Sequence, residues 1–421
     1  MTPEIEKRIK LVQAGKVPAG YKRSKVGVIP NEWSLTYLKD VAIHVTEKNK
    51  GNAISLTLTN SATKGVIKQT EYFDKQISNK ENTDGYFVVQ NGDYIYNPRI
   101  SESAPCGPIN RSHLGESGIA SPLYTVFRMN SDIHNECYIE MFLKSPFWHR
   151  YMCGVANYGA RHDRMNITND DLFSMPLPVP PKREQEKIAE ILAAQDRVIE
   201  LKEKLVAEKQ KQNEFLKSQL LSNDKCSLLQ NSFKIGSVEI SKAKWMETTI
   251  GQLSKVSTGN KDTQNKKDDG LYPFYVRSAK PERIDSYSFD GEAILTAGDG
   301  VGVGKVIHYV NGKFDFHQRV YKISDFKEDV CGKYVYYFFS EHFYNRVIRM
   351  SAKNSVDSVR LNMITDMPIR LPTLPEQQAI AKVLSTADEE ISLLQKDLEQ
   401  EKLKKKSLMQ LLLTGLVRVV C

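Results

Sequence analysis

The chain has 421 residues, with 59 Lys and Arg against 51 Asp and Glu for a formal charge of +8, so more than one domain is expected, each with ample core. It has no apolar run of about 18 residues, and polar Thr2 to Lys10 follow Met1; a membrane span and a signal peptide are not expected, and the protein reads as soluble and cytoplasmic. The six cysteines (Cys106, Cys137, Cys153, Cys226, Cys331, Cys421) are scattered without a C-x-x-C pair, which argues against a zinc finger and for free thiols in a reducing compartment.

Residues 1–20 form an N-terminal arm in which Pro3 to Gln13 reads as a short polar helix, ending near Gly15 and Pro18. Residues 21–181 follow as a globular segment. Its β-rich runs Gly85 to Val89, Asp93 to Tyr96 and Tyr124 to Arg128 are cut by Asn, Gly and Pro and predict short strands. Tyr138 to Tyr151 is an aromatic helix candidate. Pro176-Leu-Pro-Val-Pro-Pro181 closes the segment, as a joint before a helix start rather than a strand, since proline cannot continue one.

The stretch from Glu184 to Ser222 occurs twice. At a shift of 192 residues (376 − 184), Glu184-Gln185 falls on Glu376-Gln377, Leu192 on Leu384, Asp196 on Asp388, and Leu220-Leu221 on Leu412-Leu413, twelve matches over 39 positions without a gap; this is an internal duplication. Both copies are rich in Glu, Lys, Gln and Leu and free of Gly and Pro until Gly415, and so predict long helices. Steps of four and three give a seam of Ile188, Leu192, Ile199, Val206, Leu216 and Leu220 in residues 182–222, and of Ile380, Leu384, Ile391, Leu398, Leu408 and Leu412 in residues 376–421. Neither stripe can be buried alone, and the other copy is the natural partner in a coiled coil; the alternative is two helices packed on separate domains.

Residues 223–375 hold a second globular segment. Trp245-Met-Glu-Thr-Thr-Ile-Gly-Gln-Leu253 repeats the spacing of Trp33-Ser-Leu-Thr-Tyr-Leu-Lys-Asp-Val41, so the duplication reaches beyond the helices. Ala293 to Thr296, Lys305 to Tyr309 and Arg319 to Ile323 are strand candidates, Tyr334 to Arg346 is the second aromatic helix, and Pro368 to Pro375 the second joint. The rods are nearly neutral. The basic excess sits in the globular segments, 21 basic to 18 acidic side chains in residues 1–181 and 22 to 18 in residues 223–375, a balance compatible with nucleic acid.

Catalytic motifs fail when tested. In Gly298-Asp-Gly-Val-Gly-Val-Gly-Lys305, Asp299 and Val306 stand where a phosphate-binding loop needs Gly and Ser or Thr, which leaves a tight strand-to-strand turn whose Lys305 could reach a DNA phosphate. Asn97-Pro98 lacks the rest of an adenine methyltransferase motif, and Glu200-Leu-Lys202 lies inside a rod. No metal site is expected. What remains is loop material rich in Arg and Asn, the side chains suited to guanine and adenine edges. The candidate DNA contacts are Arg99, Arg111, Arg161, His162, Arg164 and Asn166 in the first segment and Lys305, Lys353, Arg360 and Asn362 in the second, with Arg164 and Asn166 aligned to Arg360 and Asn362; solvated loops are the plain alternative.

With Gly20-Tyr-Lys-Arg-Ser-Lys-Val-Gly-Val-Ile-Pro-Asn-Glu-Trp33, Leu177-Pro-Val-Pro-Pro-Lys-Arg-Glu-Gln185, the second joint with Glu376-Gln377, and the tail Leu411-Leu-Leu-Thr-Gly415, the chain resembles the specificity (S) subunits of type I restriction-modification enzymes. The resemblance implies a mixed α/β (α+β) fold with two similar target recognition domains, residues 21–181 and 223–375. They would be separated by two long helices, the central conserved one and the C-terminal one, forming an antiparallel coiled coil with pseudo-twofold symmetry. It also implies a non-catalytic DNA reader for an asymmetric, bipartite site. Two methyltransferase subunits and two restriction or motor subunits would be its partners, and S-adenosylmethionine, ATP and Mg²⁺ would bind those partners. A specificity subunit of a type IIB or phage-defence methylation system, and a coiled-coil tether that binds no DNA, are the alternatives.

Overall fold

The computed structural model describes residues 2–72, 83–130, 135–156, 163–222, 232–350 and 358–419. The chain divides into two compact units, the first made of Met1–Leu201 with Leu398–Cys421, the second of Lys202–Asp397.

In the first unit, the arm is a helix over Pro3–Gln13, opened by a proline whose missing N–H would have no partner in the first turn anyway. A hairpin follows, Tyr21–Ser24 against Gly27–Pro30. The central sheet is antiparallel in the order Ala42–His44, Thr125–Met129, Tyr94–Tyr96, Ile109–Arg111. The aromatic run does not form one helix: it splits into Glu136–Leu143 and His149–Val155, on either side of Pro146, which has no N–H to carry a helix onward. Trp33, Tyr138, Phe142 and Trp148 are buried between sheet and helices, together with Ile188 and Leu192 of the first rod helix and Leu412 of the second.

The second unit repeats this plan with longer elements. Lys255–Thr258, Val320–Ser324, Phe289–Ala297 and Ile307–Phe316 take the same sheet order, extended by Tyr272–Tyr275 and Glu282–Ile284. The second aromatic run is an unbroken 19-residue helix, Gly332–Met350.

The proline joints are strands, contrary to the expectation from proline chemistry. Pro176–Val179 pairs with Ser34–Tyr37, and Pro368–Leu371 with Met246–Thr249. Pro176 and Pro178 are two residues apart, so they share one phase of an antiparallel pair, in which backbone groups point away from the partner strand and no ladder bond is lost. The outward carbonyls are used instead: Pro178 accepts from the Tyr138 hydroxyl at 2.9 Å, and Arg370 from the Tyr334 hydroxyl at 2.9 Å.

Each joint leads into a 40-residue helix, Lys182–Leu221 and Leu374–Leu413, roughly 60 Å long at 1.5 Å per residue. The repeated Glu-Gln pair latches each helix to its domain. Glu184 is buried and accepts from the Trp33 indole at 3.0 Å and from Arg418 at 2.8 and 2.9 Å. Gln185 donates to the Pro180 carbonyl and accepts from the Asn135 N–H. In the second unit Glu376 accepts from Trp245, from the Ser241 N–H and from both N–H and hydroxyl of Thr373. Gln377 donates to Pro372 and Asp329 carbonyls and accepts from the Cys331 N–H.

Burial alone would raise the pKa of Glu376, but the donors from Ser241, Thr373 and Trp245 outweigh it and hold the carboxyl below the usual glutamate range. With the folded value below the unfolded one of about 4.3, this stabilisation is complete above that pH and is lost as pH falls through the folded value. Unfolding followed by urea at a series of acidic pH values should therefore show a shallower acid loss in Glu376→Gln than in the native chain, with no difference in pH slope near neutrality. Parallel slopes under acid would contradict the assignment.

Within each unit the two rod helices pair antiparallel. In the first, Gln195 donates to Glu401 at 2.7 Å and Lys405 pairs with Asp196. In the second, Lys202 pairs with Asp397, Lys209 with Glu390, and Asn213 donates to Asp388 at 2.6 Å. Rising numbers on one helix meet falling numbers on the other. Ile188, Leu192, Val206, Leu220, Ile380, Leu384, Leu398 and Leu412 are buried, and Ile199, Leu216, Ile391 and Leu408 half-buried. Exposed ion pairs of this kind contribute about 0.2–1 kcal/mol each, and a buried leucine about 1.5–3 kcal/mol. The apolar seam thus provides the stability, while the buried polar pairs Gln195–Glu401 and Asn213–Asp388 favour one register.

Candidate nucleic-acid interface

In the first unit, the chain leaves the strand Tyr94–Tyr96 into Asn97-Pro98-Arg99. A buried asparagine, Asn60, organises this corner: it donates to the carbonyls of Ile95 and Pro108, and receives bonds from Asn97 and Asn110 at 3.0 and 2.7 Å. Arg99 then bridges antiparallel to Arg164, with the Met165 N–H donating to the Pro98 carbonyl at 2.8 Å and the Ile100 N–H to that of Asp163 at 3.0 Å. Asp163 lies 3.8 Å from Arg99 and 3.7 Å from Arg164. Both guanidiniums therefore border one cleft of about 310 Å³, which is also lined by Asn60, Asn97, Tyr72 and Tyr124. Arg99 is 64% exposed.

The second unit closes the equivalent corner in the same way. The Val359 N–H donates to the Gly298 carbonyl at 2.7 Å, and Asp299 bridges to Ser358. The glycine loop is the tight turn between Phe289–Ala297 and Ile307–Phe316. Glycine is required there: Gly304 has φ of +68°, and a Cβ at Gly302 would lie 2.6 Å from the Arg277 carbonyl oxygen. Val301 at the tip is fully exposed. Asp299 is held between Arg277 at 3.0 Å and Arg319 at 3.8 Å. His317 beneath them is buried; burial lowers its basicity and favours the neutral ring, whose Nδ1 accepts from the Arg319 N–H at 2.9 Å. Gln318 reaches Asp262 at 2.9 Å. A carboxylate flanked by two arginines fixes the position of both guanidiniums, each of which has more N–H donors than Asp299 can take.

These bonds correct the loop alignment. Met165 and Val359 occupy the same buried position, which makes Arg164 equivalent to Ser358, not to Arg360. Further on, Met175 and Met367 accept from the N–H groups of Leu38 and Ile250, which places Thr168 opposite Arg360, each the residue before a short helix. The first loop holds two more residues, and matching by side-chain type missed them. Arg360 and Asn362 are exposed, as is Asn166. Lys305 is exposed and lies over the Tyr344 ring at 5.0 Å. Arg111 differs: its guanidinium is mostly buried, paired with Glu136 and donating to the Gly92 carbonyl, so the fold itself occupies it. Arg161, His162 and Lys353 lie outside the described residues. Arg277, Arg319 and Gln318 carried no sequence signal, because only the fold brings the two arginines to Asp299 and Gln318 to Asp262.

Among the described residues there is no cluster of His, Cys, Asp and Glu suited to a metal ion, and no helix long and apolar enough to cross a membrane. Two stretches, residues 30–211 and 242–403, match the family model for the type I restriction modification DNA specificity domain. The chain belongs to that family and is a type I specificity subunit. Each match starts three residues before the tryptophan of a unit and ends inside a rod, so the family's repeating element is the domain with its helix. The S subunit is 30% identical to the EcoDI specificity subunit of Escherichia coli over 37% of its length and 34% of that protein's. It is 22% identical to the MjaVIII specificity subunit of Methanocaldococcus jannaschii over 93% of its length and 94% of that protein's. In fold it is similar to the type I S subunit of M. genitalium, with a TM-score of 0.57 at 14% identity over 90% of this chain and 96% of that one. It is also similar to a chain from a structural study of complex assembly and conformational transition in the type I R-M system, with a TM-score of 0.58 at 15% identity, covering 92% and 99% of the two chains.

Proposed function

We propose that this S subunit reads an asymmetric, bipartite double-stranded DNA site, one half per unit, and performs no catalysis itself. One observation carries the reading: both units close the same strand-end corner with the same backbone bond, Pro98 to Met165 and Gly298 to Val359, yet furnish it with different side chains. Arg99 and Arg164 border the first corner, Arg277 and Arg319 the second. One scaffold with two sets of donors reads two different words.

The rods supply the partner surfaces. Leu201 and Leu393 are equivalent by the 192-residue repeat, and both are exposed, at 50% and 64%. An exposed leucine repeated on both units supports two equivalent docking surfaces, one for each of two methyltransferase subunits; two restriction or motor subunits would join through them. S-adenosylmethionine, ATP and Mg²⁺ are then cofactors of those partners.

Binding to cognate and random duplexes, with the methyltransferase subunit co-expressed, tests the reading. Arg277→Ala and Arg319→Ala, and likewise Arg99→Ala and Arg164→Ala, should each weaken cognate binding by about 1–3 kcal/mol where they touch base edges. Equal losses on both DNAs would make them phosphate contacts. No loss from any of the four would overturn the assignment of these corners.

A further inference from the structure

The first unit brings two cysteines together that sequence spacing keeps 47 residues apart. The Sγ atoms of Cys106 and Cys153 are 3.5 Å from each other. Cys106 is fully buried in the connection between the strands Tyr94–Tyr96 and Ile109–Arg111, where its thiol donates to the His149 carbonyl. Cys153 is exposed on the helix His149–Val155. We propose that this pair is a reversible dithiol–disulfide site, oxidised by peroxide-class oxidants through Cys153.

The placement divides the chemistry between the two sulfurs. The exposed Cys153 thiolate attacks a peroxide oxygen, giving a sulfenic acid and releasing hydroxide, which takes up a proton to become water. The Cys106 sulfur then attacks the Cys153 sulfur; the S–O bond breaks, the S–S bond forms, and the Cys106 proton leaves with the hydroxyl as a second water. The two thiols together lose two electrons and the peroxide gains them. A dithiol reductant reverses the bond by exchange. Contact at 3.5 Å must shorten to about 2.05 Å in the disulfide, and the exposed Cys153 side chain is the one with room to move. Burial, with the hydrogen bond to Cys153 adding to it, pushes the Cys106 thiol up to about 12, so it stays protonated and is protected from direct attack. Its part is to resolve the oxidised partner, and the rate of resolution should rise with pH.

The bond would join two segments that already meet elsewhere. The Cys106 connection begins with Asn97-Pro98-Arg99, and Asp163-Arg164 lies ten residues beyond Cys153; the two are paired through Pro98 and Met165. A disulfide ties the two flanks of that corner together at Cys106 and Cys153, with the Met165–Pro98 hydrogen bond closing the other end, so the redox state sets the freedom of the segment that carries Arg99.

The test is to treat the full chain, with its partner subunits, with hydrogen peroxide, block remaining thiols with N-ethylmaleimide, and map peptides by mass spectrometry. A Cys106–Cys153 cross-link that dithiothreitol removes is expected. Cys137→Ser should leave it intact, Cys153→Ser should abolish it with Cys106 still reduced, and Cys106→Ala should leave Cys153 to proceed to sulfinic acid. Amide exchange over residues 99–105 should slow on oxidation. A cross-link from Cys153 to any other cysteine, or sulfinic acid at Cys153 in the native chain with Cys106 still alkylated, would overturn the pairing. Unchanged exchange in the cross-linked protein would overturn its coupling to the corner.

Discussion

Replacing Glu184 with leucine should lower the stability of the first unit by about 3 kcal/mol, the low end of what removing one partner of a buried ion pair costs. The low end applies because Arg418 is 28% exposed and retains Glu32 at 2.7 Å. Two requirements fail at once. The Trp33 indole N–H, 3.0 Å from the carboxylate, is left without an acceptor in a fully buried position, and Arg418 loses the carboxylate that ties the tail to the first rod helix. Glu184→Gln keeps an acceptor for Trp33 but drops the charge, and should cost about half as much. Urea unfolding of the three proteins checks the order. Arg418→Ala should destabilise the same transition and leave that of the second unit in place, since Glu376 is served by Trp245, Ser241 and Thr373 and needs no arginine. Equal losses for leucine and glutamine would mean that the site wants charge alone and that Trp33 is not held by it.

The rods were legible because periodicity is a local property. The seam residues from Ile188 to Leu220 and from Ile380 to Leu412 are identified by spacing, and the structure buries or half-buries each of them. The start of the arm was readable for the same reason, with Pro3 marking the first turn. The Glu-Gln repeat was visible as a repeat, but its purpose was not: Trp33 is 151 residues from Glu184 and Trp245 131 from Glu376. No spacing rule connects an indole to a carboxylate across a domain. Proline was weighed wrongly twice, and in opposite ways. Pro146 broke the aromatic helix candidate Tyr138 to Tyr151, where it had been passed over, whereas Pro176 and Pro178 sit in a strand because their phase spares the ladder.

The candidate DNA contacts were the least legible part. Arg111 was chosen by residue type, yet pairing with Glu136 makes it part of the scaffold. Arg277 and Arg319 are separated by 42 positions (319 − 277) and share a site only because the glycine turn delivers Asp299 between them. Aligning Arg164 with Arg360 matched side chains where only the backbone bonds of Met165 and Val359 define equivalence.

The proposed reading makes rod length the ruler for the spacer between the two half-sites. Val206 and the Leu393–Leu394 step lie at the same level of the pair, between the Lys202–Asp397 and Lys209–Glu390 ion pairs. Four residues inserted after Val206, together with four between Leu393 and Leu394, lengthen both helices by about 6 Å and complete nearly one turn, so the seam keeps its phase. At about 3.4 Å per base-pair step, the spacer should grow by one or two base pairs. The decisive measurement is the methylome of cells that carry the lengthened subunit with its partner subunits, at single-base resolution. The same two half-words with a longer spacer are expected; half-words that change while the spacer stays fixed would mean that rod length does not set it.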